Sequence, residues 1–122
     1  MEWNFRNDQP IYSQLTQRLT EAIVSGIYAP GEKLPSVREL ALEAGVNPNT
    51  VQRALTELER EGLVFSQRTA GRFVTENENM IVNAKLRIAD ERVSVFLRSM
   101  KTLGCGRQEI ISLIEGAKED EE

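Results

Sequence analysis

From Ile11 to Ile27 apolar residues return every three or four positions, with Leu15, Leu19, Ala22 and Ile23 between them. That is the spacing of one buried helical face. A first helix is expected to begin near Pro10, because proline suits the first helical position and Asp8 stands close enough to cap it. Gly26 and the turn-forming Tyr28, Ala29, Pro30 and Gly31 end it,. Ahead of it, Trp3 and Phe5 alternate within residues 1–9. This is the pattern of an extended arm whose rings pack on the domain, or alternatively reach a dimer partner.

Two shorter patterns follow. Ser36, Val37, Arg38 and Glu39 form a capping box, and Pro35 sharpens the start by keeping Leu34 out of helix,. Val37, Leu40, Ala41 and Ala44 then face inward, which leaves Arg38 outside the stripe in the first turn. A cation there opposes the helix dipole, which favours a contact with phosphate or a base edge over a merely solvated arginine. After a turn at Gly45 and Val46, Asn47 caps a third helix with Pro48 at its first position,. Val51, Ala54, Leu55 and Leu58 are its buried stripe. The opposite face carries Asn49, Thr50, Gln52, Arg53, Thr56 and Arg60, side chains that pair with base edges or phosphates. Acidic residues crowd the far end at Glu57, Glu59 and Glu61, so the N-terminal half is polar but free of acid.

Gly62 ends this helix, and Leu63, Val64 and Phe65 begin a strand. The chain turns at Arg68, Thr69, Ala70 and Gly71 and returns through Arg72, Phe73 and Val74. An isolated hairpin is marginal, so it is expected to pack on the helices through Phe65, Phe73 and Val74. Arg68 and Arg72 flank the glycine tip as a wing for a phosphate backbone or minor groove would. The plain alternative is a charged hairpin. Beyond it, a long helix from about 77 to 102 carries Ile81, Ala84, Ile88 and Val95 on one face. Leu86, Ala89, Val93, Phe96, Leu97 and Met100 lie on another. Gly104, Cys105 and Gly106 break it, and a last helix follows with Ile110, Ile111, Leu113, Ile114 and Ala117. A two-helix tail cannot cover both stripes alone, so a second copy is expected to bury Ile81, Ile88, Val93, Phe96, Leu97, Met100, Ile110 and Ile114. Residues 119–122 read as a solvated, frayed end.

The fold class is therefore mainly α with a small β-hairpin, a winged helix-turn-helix domain over 1–75 followed by a helical dimerisation tail over 76–122. Composition narrows the function. No apolar run approaches the ~18 residues that span a bilayer, and no signal-like start is present, so a cytoplasmic location is expected, with no membrane partner. One cysteine allows no internal disulfide, and its redox role is not legible,. The absence of histidine argues against zinc and against the commonest general base,. No cofactor, phosphate-loop or nucleophile motif is found, so no enzyme is expected. The net charge of −4 opposes nucleic-acid binding at first sight. However, residues 10–75 hold seven basic and seven acidic residues, while 76–122 hold seven and ten. The acidity sits in the tail.

Taken together, PIYSQL at 10–15, PGEKLPSVRELA at 30–41, AGVNPNTVQRALTELEREGLV at 44–64 and GRFV at 71–74 resemble the GntR family of bacterial winged-helix transcription regulators. The resemblance implies DNA contacts from Ser36 and Arg38 at the start of helix two, and from Asn47, Pro48, Asn49, Thr50 and Gln52 in the recognition helix. Gly71 matches the wing glycine. Pro48 and Gln52 stand where many members carry arginine, and Arg53 is placed to compensate; Thr69 occupies a usual glycine position. The tail LGCGRQEIISLIE at 103–115 looks like the small YtrA-type subfamily, whose two C-terminal helices form the dimer. The implied function is a sequence-specific dimeric repressor on a palindromic double-stranded DNA operator. The other class is a winged-helix protein-interaction module without direct DNA binding, against which the acid-free start of helix three argues. The tail is too thin to enclose a pocket of ~300 Å3 by itself, and no residue identifies an effector.

Overall fold

The computed structural model describes residues 1–119. Among these the order is α1 (Ile11–Val24), α2 (Val37–Ala44), α3 (Pro48–Arg60), β1 (Val64–Gln67), β2 (Gly71–Val74), α4 (Glu78–Thr102) and α5 (Arg107–Gly116). By its contacts the chain falls into two compact units, one through Lys85 and one from Leu86 onward.

In the first unit, Leu15, Leu19 and Ile23 of α1 meet Leu40 and Ala41 of α2 and Val51, Ala54, Leu55 and Leu58 of α3 in one core. The ends of that stripe differ from expectation. Ile11 and Ile27 are exposed, because α1 starts only at Ile11 and has already ended at Val24. Pro10 sits one position earlier than expected, as the residue preceding the helix, and no side chain caps it. Asp8 pairs with Arg6 instead, while Gln14 accepts from the Arg6 N–H at 2.7 Å and donates to the carbonyls of Arg6 and Gln9. The arm packs on its own domain. Trp3 and Phe5 lie against the core, and the Trp3 indole donates to Glu43 at 3.3 Å.

The boundary expected after residue 75 falls within the run of this unit. Thr75 is buried and its Oγ1 accepts from the Asn77 N–H. Asn77 Oδ1 then caps α4 by accepting from Asn79 and Met80. The first two turns of α4 stay with the first unit, Ala84 buried in its core and Ile81 packed beside it. Ile81 is half-buried there, partly covered by its own domain.

The hairpin also packs differently from expectation. Val64 pairs with Val74 and Phe65 with Phe73. Side chains alternate across a strand, so Val64 and Val74 enter the core while the phenylalanines face away; Leu63, just ahead of the strand, is buried as well. Phe65 is exposed and stacks on Phe73 with centroids 5.8 Å apart.

In the second unit, α4 ends at the expected break: Gly104 N–H bonds Lys101 O and Cys105 N–H bonds Met100 O. Ile110 of α5 is buried within the chain. Leu86, Val93, Val95, Phe96, Leu103, Ile111, Leu113 and Ile114 remain exposed. Glu119 is exposed and irregular; the rest of the expected frayed end, 120–122, lies outside the described residues.

Candidate nucleic-acid interface

The two central helices are held by the caps their sequences encode. At α2 the Ser36 Oγ accepts from the Glu39 N–H at 3.1 Å and the Glu39 carboxylate accepts from the Ser36 N–H at 2.9 Å. Those bonds, that of the Ser36 backbone first, hold the Glu39 carboxyl below its usual range. Ser36 itself is exposed at the start of the helix. Gly45, at φ 69°, ends α2 in the left-handed conformation, where a side chain is costly. Two residues later Asn47 Oδ1 accepts from the Asn49 N–H at 2.7 Å, and Pro48 opens α3. The Asn47 amide NH2 is not used by the cap.

This geometry turns one side of α3 outward. Asn47, Pro48, Asn49, Gln52, Arg53 and Thr56 are exposed and Thr50 is half-buried. Positions 49, 52, 53 and 56 form a stripe at helical spacing, without an acid. Arg53 is braced from α1: its guanidinium lies 3.6 Å from the centroid of the Tyr12 ring, a cation–π contact. Nothing local in the sequence links positions 12 and 53, so the apolar spacing of α1 shows its core face and not this contact.

Two of the acids at the far end of α3 are occupied. Glu57 pairs with Arg60. Glu59 fastens the wing: its Oε1 accepts from Ser66 Oγ at 2.7 Å and from Arg72 Nε at 2.5 Å. Arg72, expected as a free wing cation, is therefore a strut between wing and recognition helix, with 21% of its side chain exposed. Burial pushes the Glu59 carboxyl up, but the hydrogen bonds from Ser66 and Arg72 and the charge of Arg72 outweigh it and hold it below its ordinary value of 4.5. A depressed carboxylate contributes stability that is present above its unfolded value and lost as pH falls through its folded one. Glu59→Gln should therefore lower the melting temperature at pH 7. In melts across pH, its gap from the unaltered chain should close below about pH 4; a constant gap would remove Glu59 from this role.

The remaining cations stand differently. Lys33, Arg38, Arg53 and Arg68 are exposed, and among the described residues none of them is in an ion pair. They mark the approach to α2, its first turn, the outer face of α3 and the tip of the wing. Residues 10–75, balanced in formal charge, thus leave cations outside any ion pair among the described residues beside the acid-free helix face.

Comparison with known proteins places this arrangement. The family model "Bacterial regulatory proteins, gntR family" matches residues 11–74. The HTH-type transcriptional regulator YhcF of Bacillus subtilis is 37% identical over 118 residues, covering 97% of this chain and 95% of that protein. The transcriptional repressor YtrA of the same organism is 44% identical over 89 residues, covering 72% of this chain and 68% of its own. A GntR family transcriptional regulator from Listeria monocytogenes superposes with a TM-score of 0.86 at 36% identity, covering 93% of this chain and all of the other. The DNA-binding domain of AraR, solved in complex with its operator ORE1, superposes with a TM-score of 0.54 at 27% identity, over 62% of this chain and 94% of that one.

Proposed function

The chain belongs to the GntR family of bacterial regulatory proteins, and from that premise we propose that it is a dimeric, sequence-specific repressor acting in the cytoplasm on a palindromic DNA operator. DNA binding as a transcription regulator follows from the family and the likeness to an operator-bound domain. The observation that carries the site is the outer face of α3, exposed, polar and free of acid, beside cations without ion-pair partners. Asn49, Gln52 and Arg53 are assigned to base edges, with Asn47 and Thr50 at the mouth of the groove. Ser36, Arg38 and Arg68 are assigned to phosphates. Pro48 shapes the helix start, Gly71 keeps the wing slim, and Arg72 holds the wing's angle.

The dimer is assigned to the second unit. Val93, Phe96 and Ile114 are 54%, 40% and 58% exposed in the single chain, and Ile88, Leu97 and Met100 are half-buried. Exposed apolar side chains at this density mark an interaction surface, and a symmetric second copy covers it. Leu86, Val95, Ile111 and Leu113 join the assigned set. No helix among the described residues is long and apolar enough to cross a membrane, which supports the cytoplasmic assignment. The repressor role is supported by the kinship with YtrA, a repressor by name.

A salt-titrated gel shift with DNA from upstream of the protein's own gene tests this reading. Discrete binding that weakens steeply with salt is expected. Absence of a shift on any duplex, or binding indifferent to salt, would contradict it.

A further inference from the structure

We propose that Lys33 is a phosphate contact of the wing, and that residue 71 is glycine because the Lys33 side chain lies across it. The inference rests on the DNA-binding reading above, and extends the interface to a residue that the family match leaves without a role.

The segment before α2 has the sequence of a plain connector, but it is tied to the wing as a third extended piece. Gly31 N–H bonds Val74 O at 3.0 Å, Val74 N–H bonds Glu32 O at 2.9 Å and Leu34 N–H bonds Arg72 O at 2.9 Å. Lys33 itself stands opposite Phe73 in an antiparallel bridge. In extended chain, neighbouring side chains point to opposite sides. Leu34 is buried in the core, so Lys33 is directed outward, and it is exposed.

Its side chain then follows β2 toward the tip. A Cβ built on Gly71 would stand 3.0 Å from Lys33 Cε and 3.8 Å from Nζ. A side chain at 71 would press on the lysine stem, which would have to give by a few tenths of an ångström, and the stem carries its ammonium to the end of the wing. The backbone at Gly71 has φ 110°, a value that also favours glycine.

The ammonium is available. Lys33 forms no ion pair among the described residues. The nearby Glu39 feels it only as the least of four influences and is already engaged by Ser36. Glu32 is engaged too, accepting from the Ala29 N–H at 2.8 Å. With Arg72 committed to Glu59, Lys33 and Arg68 supply the wing's free positive charge. A lysine ammonium is a compact point charge that suits phosphate without demanding bidentate geometry. It should add grip without reading sequence.

The test is a salt series of binding affinities for the full-length chain, on a duplex selected by the unaltered protein and on an unrelated duplex of equal length. Lys33→Gln should reduce the slope of log K against log salt by about 0.9 for each reader engaged. It should weaken both duplexes by the same factor, with an unchanged melting temperature, and Lys33→Arg should keep the slope. Gly71→Ala should weaken binding less in the Lys33→Gln background than alone, because part of its effect is displacement of the lysine. An unchanged slope in Lys33→Gln overturns the contact. Equal losses from Gly71→Ala in both backgrounds overturn the reason given for the glycine. If the unaltered chain binds neither duplex, the DNA-binding reading fails first and takes the inference with it.

Discussion

Phe96→Asp should convert the protein to a monomer and weaken its binding to a two-half-site duplex by about 10²–10⁴-fold, the avidity that two linked readers provide. Phe96 is exposed on α4, in the second unit, among Val93, Leu97 and Met100 at helical spacing,. A carboxylate set into an apolar surface that a partner must cover is desolvated without a counter-ion, a cost that association of two chains does not readily absorb. The reader should survive, because its core is assembled from α1, α2, α3, the hairpin and the start of α4, all before residue 86. Sedimentation gives the oligomeric state, circular dichroism the retained helix, and fluorescence anisotropy the affinity. Phe96→Leu should keep the dimer. A Phe96→Asp chain that stays dimeric, or a monomer that binds the two-site duplex undiminished, would refute the tail's assigned role.

The second large effect belongs to Arg38. Arg38→Ala should weaken DNA binding by roughly 10- to 100-fold, as expected from losing one charge-assisted hydrogen bond of about 1.5–3 kcal/mol. It should leave thermal stability equal or slightly higher. The two signs separate a DNA contact from a structural residue. Arg38 lies in the first turn of α2, where a cation opposes the helix dipole; it is exposed and in no ion pair among the described residues. Its neighbour Glu39, not Arg38, carries the capping box. Nothing in the folded domain therefore requires the arginine. With Pro48 and Gln52 beside it, Arg53 is the one guanidinium in the N-terminal half of α3, which throws weight onto α2 and onto Arg53 itself. An Arg38→Ala variant of wild-type affinity, or one that melts several degrees lower, would contradict this.

Features written in short-range chemistry were legible in advance. The capping box at Ser36 and Glu39, the Asn47 cap with Pro48 behind it, and the inward stripes of α2 and α3 all depend on residues within a turn or two of one another. What escaped was carried by contacts between distant positions. Nothing local in residues 31–34 signals that they join the wing, because their partners, Arg72, Phe73 and Val74, lie beyond two helices. The Glu59 strut was hidden for the same reason: Glu59 and Arg72 each looked like surface charge, and only the hairpin's placement brings them to 2.5 Å. Tyr12 read as part of a core helix until its ring was found under Arg53. The phenylalanines of the hairpin misled by size, since hydrophobicity alone expects them inside while the strand's alternation gives that place to Val64 and Val74. Ile110 misled by continuity: it extends an apolar stripe of the tail, yet it is buried within its own chain.

The effect of each site substitution presupposes that two copies of the α3 face address two halves of one operator. Selection of the purified full-length protein on a pool of randomised duplexes, followed by sequencing of the bound fraction, tests that most directly. The account predicts enrichment of an inverted repeat, with Asn49→Ala, Gln52→Ala or Arg53→Ala relaxing the preference at matching positions in both halves. Enrichment of a site without two-fold symmetry, or no enrichment at all, would contradict it.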